Sequence, residues 1–260
     1  MTPVPITALC GFLGSGKTTL LRKWTHADAL RDAAIIVHDF GDHGVDAELL
    51  ADDEPPPVMG RLVGRVAALH GSHAREQLRT SAAAALDAIT ALDPPAPLVL
   101  CESTGAARPW PLVQALTQDP RFVLRHCIVT VDALNLHRDF DDGRFLIGES
   151  AGPAAPALRR AAEVLAEQVL FASVLILTKV DTLPKAVVEA QVRVLRTLKP
   201  GTPMGLSADA GLDLARIDPA PPPDIDEMRS WARRFGREHQ APTPETMASV
   251  TRRDPRPFHP

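Results

Sequence analysis

Gly11-Phe12-Leu13-Gly14-Ser15-Gly16-Lys17-Thr18 decides the fold of this chain. It fills every position of the phosphate-binding pattern G-x-x-x-x-G-K-[ST]. An apolar strand over residues 6–10 runs into it and a helix over 17–30 runs out of it. That strand–loop–helix order turns a pattern match into an expected nucleotide site. Gly11, Gly14 and Gly16 let the backbone curl so that successive N–H groups face the phosphates. The helix that follows, opening on Lys17, Thr18 and Thr19, presents its N-terminal dipole to the same place. Lys17 is expected to reach the β- and γ-phosphates, and the Thr18 hydroxyl to bind Mg²⁺.

Outward from the loop, apolar runs near 33–38, 97–101, 125–131, 173–178 and 203–207 read as further strands. Helical patterns fit 74–92, 109–118, 156–171, 184–198 and 225–239. Strands alternating with helices predict an α/β fold of the P-loop NTPase kind, a mostly parallel sheet with helices on both faces. Pro55-Pro56-Pro57 and Pro94-Pro95-Ala96-Pro97 read as surface turns. Pro219-Ala220-Pro221-Pro222-Pro223 reads as a stiff linker. The expected nucleotide-binding domain is therefore 1–218, and 219–260 holds the linker, one helix and a polar tail. Residues 134–155, acidic and weakly periodic, read as a mobile loop.

With 260 residues and 45% hydrophobic content, the chain can bury a substantial core. A net charge of −4 and scattered basic residues argue against nucleic acid and against an anionic membrane as partners. No apolar run reaches the roughly 18 residues of a membrane span. Cys10, Cys101 and Cys127 stand far apart in sequence and read as reduced core thiols. With the first strand beginning by Ile6, the expected compartment is the cytoplasm.

The phosphate loop needs partners. Pro97-Leu98-Val99-Leu100-Cys101-Glu102 is a buried strand ending in a carboxylate, and Gly105 follows three positions later. Glu102 is expected to hold Mg²⁺ through water, with the Gly105 N–H on the γ-phosphate. Thr178-Lys179-Val180-Asp181 is a variant of the Asn-Lys-x-Asp base motif. The Asp181 carboxylate can accept from guanine N1–H and N2–H, donors that adenine does not present there. Lys179 would lay its stem across the base. Thr178, in place of Asn, is expected to forfeit the amide that ties the base loop to the phosphate loop. Ser207 follows another short strand and either completes the base pocket or sits in a plain turn. His38-Asp39-Phe40-Gly41-Asp42-His43-Gly44-Val45-Asp46 falls where a switch loop would, or is a solvated turn.

Together these pieces resemble the CobW-like GTPases, a branch of the P-loop GTPases that includes relatives of the hydrogenase and urease nickel-insertion proteins. Residues 11–21 are similar to that family's phosphate loop, and His38-Asp39-Phe40-Gly41 to its Asn-Glu-Phe-Gly element. Glu102-Ser103-Thr104-Gly105, Thr130-Val131-Asp132-Ala133, the run from Glu167-Gln168 to Asp181, and Arg256-Pro257-Phe258-His259-Pro260 also resemble family segments.

The resemblance implies a GTPase that hands a transition metal, often zinc or cobalt, to an unknown client protein or to a cobalamin pathway; Mg²⁺ dependence follows from Thr18 and Glu102, and a nucleotide-dependent homodimer is an allowed assembly. As a GTPase, the chain would use Lys17, Thr18, Glu102 and Asp39 catalytically, with Asp39 or Asp42 expected to orient water and Arg108 expected near the phosphates. The family's Cys-x-Cys-Cys motif is replaced here by Leu69-His70-Gly71-Ser72-His73. His70 and His73, with Asp39, Asp42 or His43, form a possible Zn²⁺ or Co²⁺ site, or are solvated loop residues. The chain also stops where the family's C-terminal domain would begin. Two functions follow: a slow GTPase of the metallochaperone type, or a nucleotide-gated recruitment module with negligible hydrolysis and no metal transfer.

Overall fold

Val4–Gly11 (β1) sends Ile6, Ala8 and Cys10 to one side of a sheet and Leu9 to the other, and all four are buried. A strand buried on both faces needs cover on both faces, which is the situation of a parallel sheet flanked by helices. The computed structural model describes residues 2–25, 32–39, 62–63, 66–70, 75–105, 107–149, 156–208, 216–217 and 219–238. The elements are β1, α1 (Lys17–Thr25), β2 (Ala34–Asp39), β3 (Leu62–Val63), β4 (Val66–His70) and α2 (Arg75–Thr90). Next come β5 (Val99–Glu102), α3 (Pro109–Leu116), β6 (Phe122–Asp132), α4 (Ala133–Asp139) and α5 (Pro156–Phe171). The last are β7 (Val174–Thr178), α6 (Lys185–Leu198), β8 (Met204–Ser207) and α7 (Ile225–Glu238).

The strands form an eight-stranded sheet in the order β3-β4-β2-β5-β1-β6-β7-β8. All pairings are parallel except β3 with β4. From β1 the chain crosses by α1 to β2 on one side, and from β5 by α3 to β6 on the other. The phosphate loop thus leaves the carboxyl end of a central strand where connections diverge, the place open α/β sheets keep for ligands. The expected strands are present, and β3 and β4 join them. Leu69-His70, read as part of a loop, lies on β4.

One face carries α2 to α7 over a core that includes Leu86, Leu112, Phe171 and Leu195. The other is covered by α1 through Leu20, Leu21 and Trp24, which meet Val37, Leu100 and Ile176. Among the described residues no helix is long and apolar enough to cross a membrane.

The 134–155 reading needs correction. Asp132 accepts the N–H groups of Leu134 and Asn135 and so caps α4. A 3-10 turn over Asp141–Ile147 follows. Phe140, 1% exposed, anchors it by packing edge-on to Phe12 at 6.2 Å. The segment is too short to show helical periodicity, yet Leu136, Phe140 and Leu146 are all buried. Residues 150–155 lie outside the described residues.

The three cysteines, distant in sequence, meet on the central strands: Cys101 and Cys127 are both register partners of Ala8. All are free and buried. Burial pushes the Cys101 thiol well up, and a hydrogen bond to Cys10 together with burial does the same for Cys127. Past the proline run, Asp224 caps α7 at Asp226 N and Glu227 N. Met228 is buried and Ile225, Trp231 and Phe235 pack on the core beside α3 and α5.

Candidate functional site

The phosphate loop owes its curl to three residues in the left-handed region: Gly11 at φ +142°, Gly14 at +74° and Gly16 at +86°. At Gly11 the requirement is also steric, because a Cβ there would fall 2.3 Å from Thr130 Oγ1 and 2.4 Å from its carbonyl. Thr130, two residues from the end of β6, hydrogen-bonds Ser15 Oγ at 2.7 Å and donates to the Cys10 carbonyl at 3.3 Å. With its own proton on Cys10, Thr130 accepts from Ser15, so a hydroxyl pair props the loop from the neighbouring strand. Sequence reasoning gave Thr130 no role in the site; a lone hydroxyl inside Ile128-Val129-Thr130-Val131 was the available signal. Lys17, 7% exposed, donates to the Phe12 carbonyl at 3.2 Å, so its ammonium folds back over the loop.

Opposite α1, Glu102 closes β5 at 1% exposure. Thr18 Oγ1 donates to Glu102 Oε1 at 2.6 Å, a short hydroxyl–carboxylate bond. Hydroxyl and carboxylate oxygens side by side at a helix N-terminus are the hard donors that Mg²⁺ takes, so the residues fit that ion. One residue on, Ser103 N donates to the Leu9 carbonyl at 2.9 Å and keeps the start of the next loop on β1.

Where the base motif was expected, Thr178 ends β7 beside Ser207, its register partner on β8. Its Oγ1 donates toward the Ser15 carbonyl at 3.0 Å and the Val131 carbonyl at 3.2 Å. The expected loss of the tie between base loop and phosphate loop therefore does not occur: a buried hydroxyl replaces the amide. Lys179 sits at φ +56°, and its Nζ donates to the Gly14 carbonyl at 2.9 Å and to Asp132 Oδ2 at 2.6 Å. Asp132 thus spends one oxygen on the α4 cap and the other on Lys179, a positioning role the sequence reading missed. Asp181 lies exposed in the turn Val180–Thr182, which Thr182 pins through its hydroxyl to the Lys179 carbonyl at 2.7 Å. Ser207 is 4% exposed, and its Oγ has no hydrogen-bond partner among the described residues.

The loop after Glu102 brings Gly105 against the phosphate loop, where a Cβ on it would lie 2.7 Å from Leu13 N. Arg108, expected near the phosphates, gives its guanidinium to Glu167 of α5 at 2.6 Å.

The candidate transition-metal residues are only partly placed. Asp39 and His70 are register partners at the last positions of β2 and β4. Val37, two residues before Asp39, is the register partner of Glu102. Asp42, His43 and His73 lie outside the described residues. Among the described residues no group of three or more His, Cys, Asp or Glu side chains is arranged to hold a metal.

The model of the CobW/HypB/UreG nucleotide-binding domain matches residues 5–205. The chain is 29% identical over 193 residues to the zinc chaperone YjiA of Escherichia coli, covering 72% of this chain and 52% of that protein. It is 33% identical over 115 residues to the zinc chaperone CobW of Pseudomonas aeruginosa, covering 44% of this chain and 31% of that one. At most, then, it spans about half the length of these curated relatives. Among solved structures, the Zn(II)-bound YjiA GTPase from E. coli superposes with a TM-score of 0.54 at 22% identity, covering 83% of this chain and 61% of that one. HypB from Helicobacter pylori in complex with nickel gives 0.50 at 13% identity, covering 93% and 91%. At these identities the likeness concerns the fold.

Proposed function

We propose, for a chain that belongs to the CobW/HypB/UreG family, a Mg²⁺-dependent guanine-nucleotide switch that hydrolyses GTP slowly and couples nucleotide state to metal or client-protein handling. The observation that carries this reading is the Thr18–Glu102 contact of 2.6 Å beside a glycine-curled loop that holds Lys17. In it, Lys17 and the loop N–H groups hold the phosphates and Asp181 selects guanine. Thr18 and Glu102 hold Mg²⁺, which when bound neutralises charge on the phosphate oxygens. Lys179 and Thr178 brace the base loop on the carbonyls of Gly14 and Ser15.

Turnover is slow in this reading, well under a typical enzyme's roughly 10 s⁻¹, because Arg108 is held by Glu167. The cargo site is built on Asp39 and His70, adjacent at the ends of β2 and β4, with Asp42, His43 and His73 as further donors. Imidazole and carboxylate donors suit Zn²⁺, Co²⁺ or Ni²⁺. The engaged Arg108 also favours the second reading, a recruitment module that binds nucleotide with negligible hydrolysis.

Phosphate release from GTP by the wild type and by Lys17→Ala, with and without Mg²⁺, separates the two. Mg²⁺-dependent release lost in the variant supports the GTPase; equal release from both favours the module. Replacing His70 and His73 by Ala should lower Zn²⁺ or Co²⁺ affinity while leaving GTP affinity unchanged. An unchanged metal affinity removes those histidines from the site.

A further inference from the structure

Glu167 and Gln168, near the end of α5, are 2% and 0% exposed. A helix turned toward a core normally places an apolar residue at such positions, because a buried amide is unfavourable unless it is hydrogen-bonded. Gln168 Nε2 donates to the Ala107 carbonyl at 3.0 Å and to the Gly105 carbonyl at 3.3 Å. Its amide orientation follows from those partners, since the oxygen end would face two acceptors. Its Oε1 then has no donor among the described residues. Beside it, Glu167 Oε2 accepts from Arg108 Nη1 at 2.6 Å. Two adjacent residues of one helix therefore hold residues 105, 107 and 108 of the loop that follows Glu102.

The other side of that loop meets the phosphate loop. A Cβ on Gly105 would lie 2.7 Å from Leu13 N and 2.8 Å from Leu13 Cα, so the two backbones are in direct contact. Within the loop, Ala107 N donates to the Thr104 carbonyl at 3.2 Å. The loop is clamped between α5 and the phosphate loop, with Gly105 at the contact.

We infer that Gln168, backed by the Glu167–Arg108 ion pair, is a positioning residue that holds the Gly105 loop in register with the phosphate loop and so sets the preference for a nucleoside triphosphate over a diphosphate. The inference rests on the guanine-nucleotide reading, in which the Gly105 N–H faces the γ-phosphate. A diphosphate meets the phosphate loop and the base loop but not Gly105. Loosening the clamp therefore weakens the triphosphate alone.

The test uses Gln168→Met and Gln168→Leu, which keep bulk and remove both donors. Arg108→Ala, at the half-exposed end of the clamp, covers the case in which a substitution at buried Gln168 prevents folding. Two quantities are measured: affinities for GDP and for a non-hydrolysable GTP analogue with Mg²⁺, and amide hydrogen exchange of residues 103–108 in nucleotide-free protein. The expected result is analogue affinity lowered about tenfold, ~1.4 kcal/mol, GDP affinity unchanged, and faster exchange in the loop. Folded variants with an unaltered ratio of the two affinities overturn the inference. A wild type that binds neither nucleotide overturns the guanine reading instead. The exchange then decides the clamp alone, and unaltered exchange in the variants removes it.

Discussion

Thr178 donates its hydroxyl to the Ser15 carbonyl across 3.0 Å, joining the end of β7 to the phosphate loop. A buried hydrogen bond of this kind is worth about 0.5–1.5 kcal/mol net. Thr178→Val, which keeps the shape and removes the donor, should weaken guanine-nucleotide binding about two- to tenfold. Isothermal titration with GDP reads this directly, and an unchanged Kd would make the contact incidental.

Asp132 divides its oxygens between the α4 cap and Lys179 Nζ. Asp132→Asn keeps an acceptor for the cap and loses the carboxylate, so its main effect should fall on nucleotide affinity. Asp132→Ala loses both and should in addition lower stability by about 1 kcal/mol, the usual worth of an N-cap. Thermal melts alongside GDP titrations separate the two roles. Equal melting losses in both variants would contradict the division.

In the proposed site the Asp181 carboxylate offers only acceptors to a bound base. Asp181→Asn turns one of them into a donor, which no longer matches guanine N1–H and N2–H. GTP affinity should fall by at least about a hundredfold. A xanthine nucleotide, whose base carries a carbonyl where guanine carries its amino group, should bind the variant better than it binds the wild type, because the Asn amide donates to that carbonyl. A variant with the GTP affinity of the wild type would place base recognition elsewhere.

The thiols give a pH prediction. Cys101, raised by burial, and Cys127, raised by its Cys10 hydrogen bond and burial, stay protonated in the native state at pH values where an unfolded thiol has ionised. At Cys101 and Cys127 the native state then binds more protons than the unfolded one, while Cys10, lowered by its hydrogen bond with Cys127, works the other way, so Cys101 carries the sign. This contribution to stability is complete below a thiol's ordinary pKa, about 8.5, and falls as pH rises above it. Denaturant midpoints at pH 7 and pH 9.5 should show the loss, and Cys101→Ala should reduce it. Native protein at pH 8 should react with a thiol reagent far more slowly than protein in guanidinium. Fast labelling of the native state would contradict the burial argument.

The sequence made the fold legible because its strands are apolar runs bounded by turn residues, and its phosphate loop names the strand it follows. The places of Thr178 and Glu102 were legible for the same reason, since each ends such a run. What stayed hidden was contact across the sheet. Thr130 props Ser15 from a strand 115 residues away, a pairing that no local pattern encodes. Asp132 could be read only as a strand end until Lys179 was seen beside it. The tie expected to vanish with the asparagine survives because Thr178 lies close enough to the Ser15 carbonyl for a short side chain to reach it. The short helices after Asp132 were missed because the burial of Phe140 against Phe12 is a tertiary fact.

The proposed nucleotide site is guanine-selective and Mg²⁺-assisted, and is built on Lys17, Thr18, Glu102 and Asp181. The most direct measurement is equilibrium binding of GTP and ATP to the purified chain, with and without Mg²⁺, beside Lys17→Ala. GTP should bind far more tightly than ATP, Mg²⁺ should strengthen GTP binding, and Lys17→Ala should lose most of it. Equal affinity for the two nucleotides, or no binding of either, would contradict the proposed site.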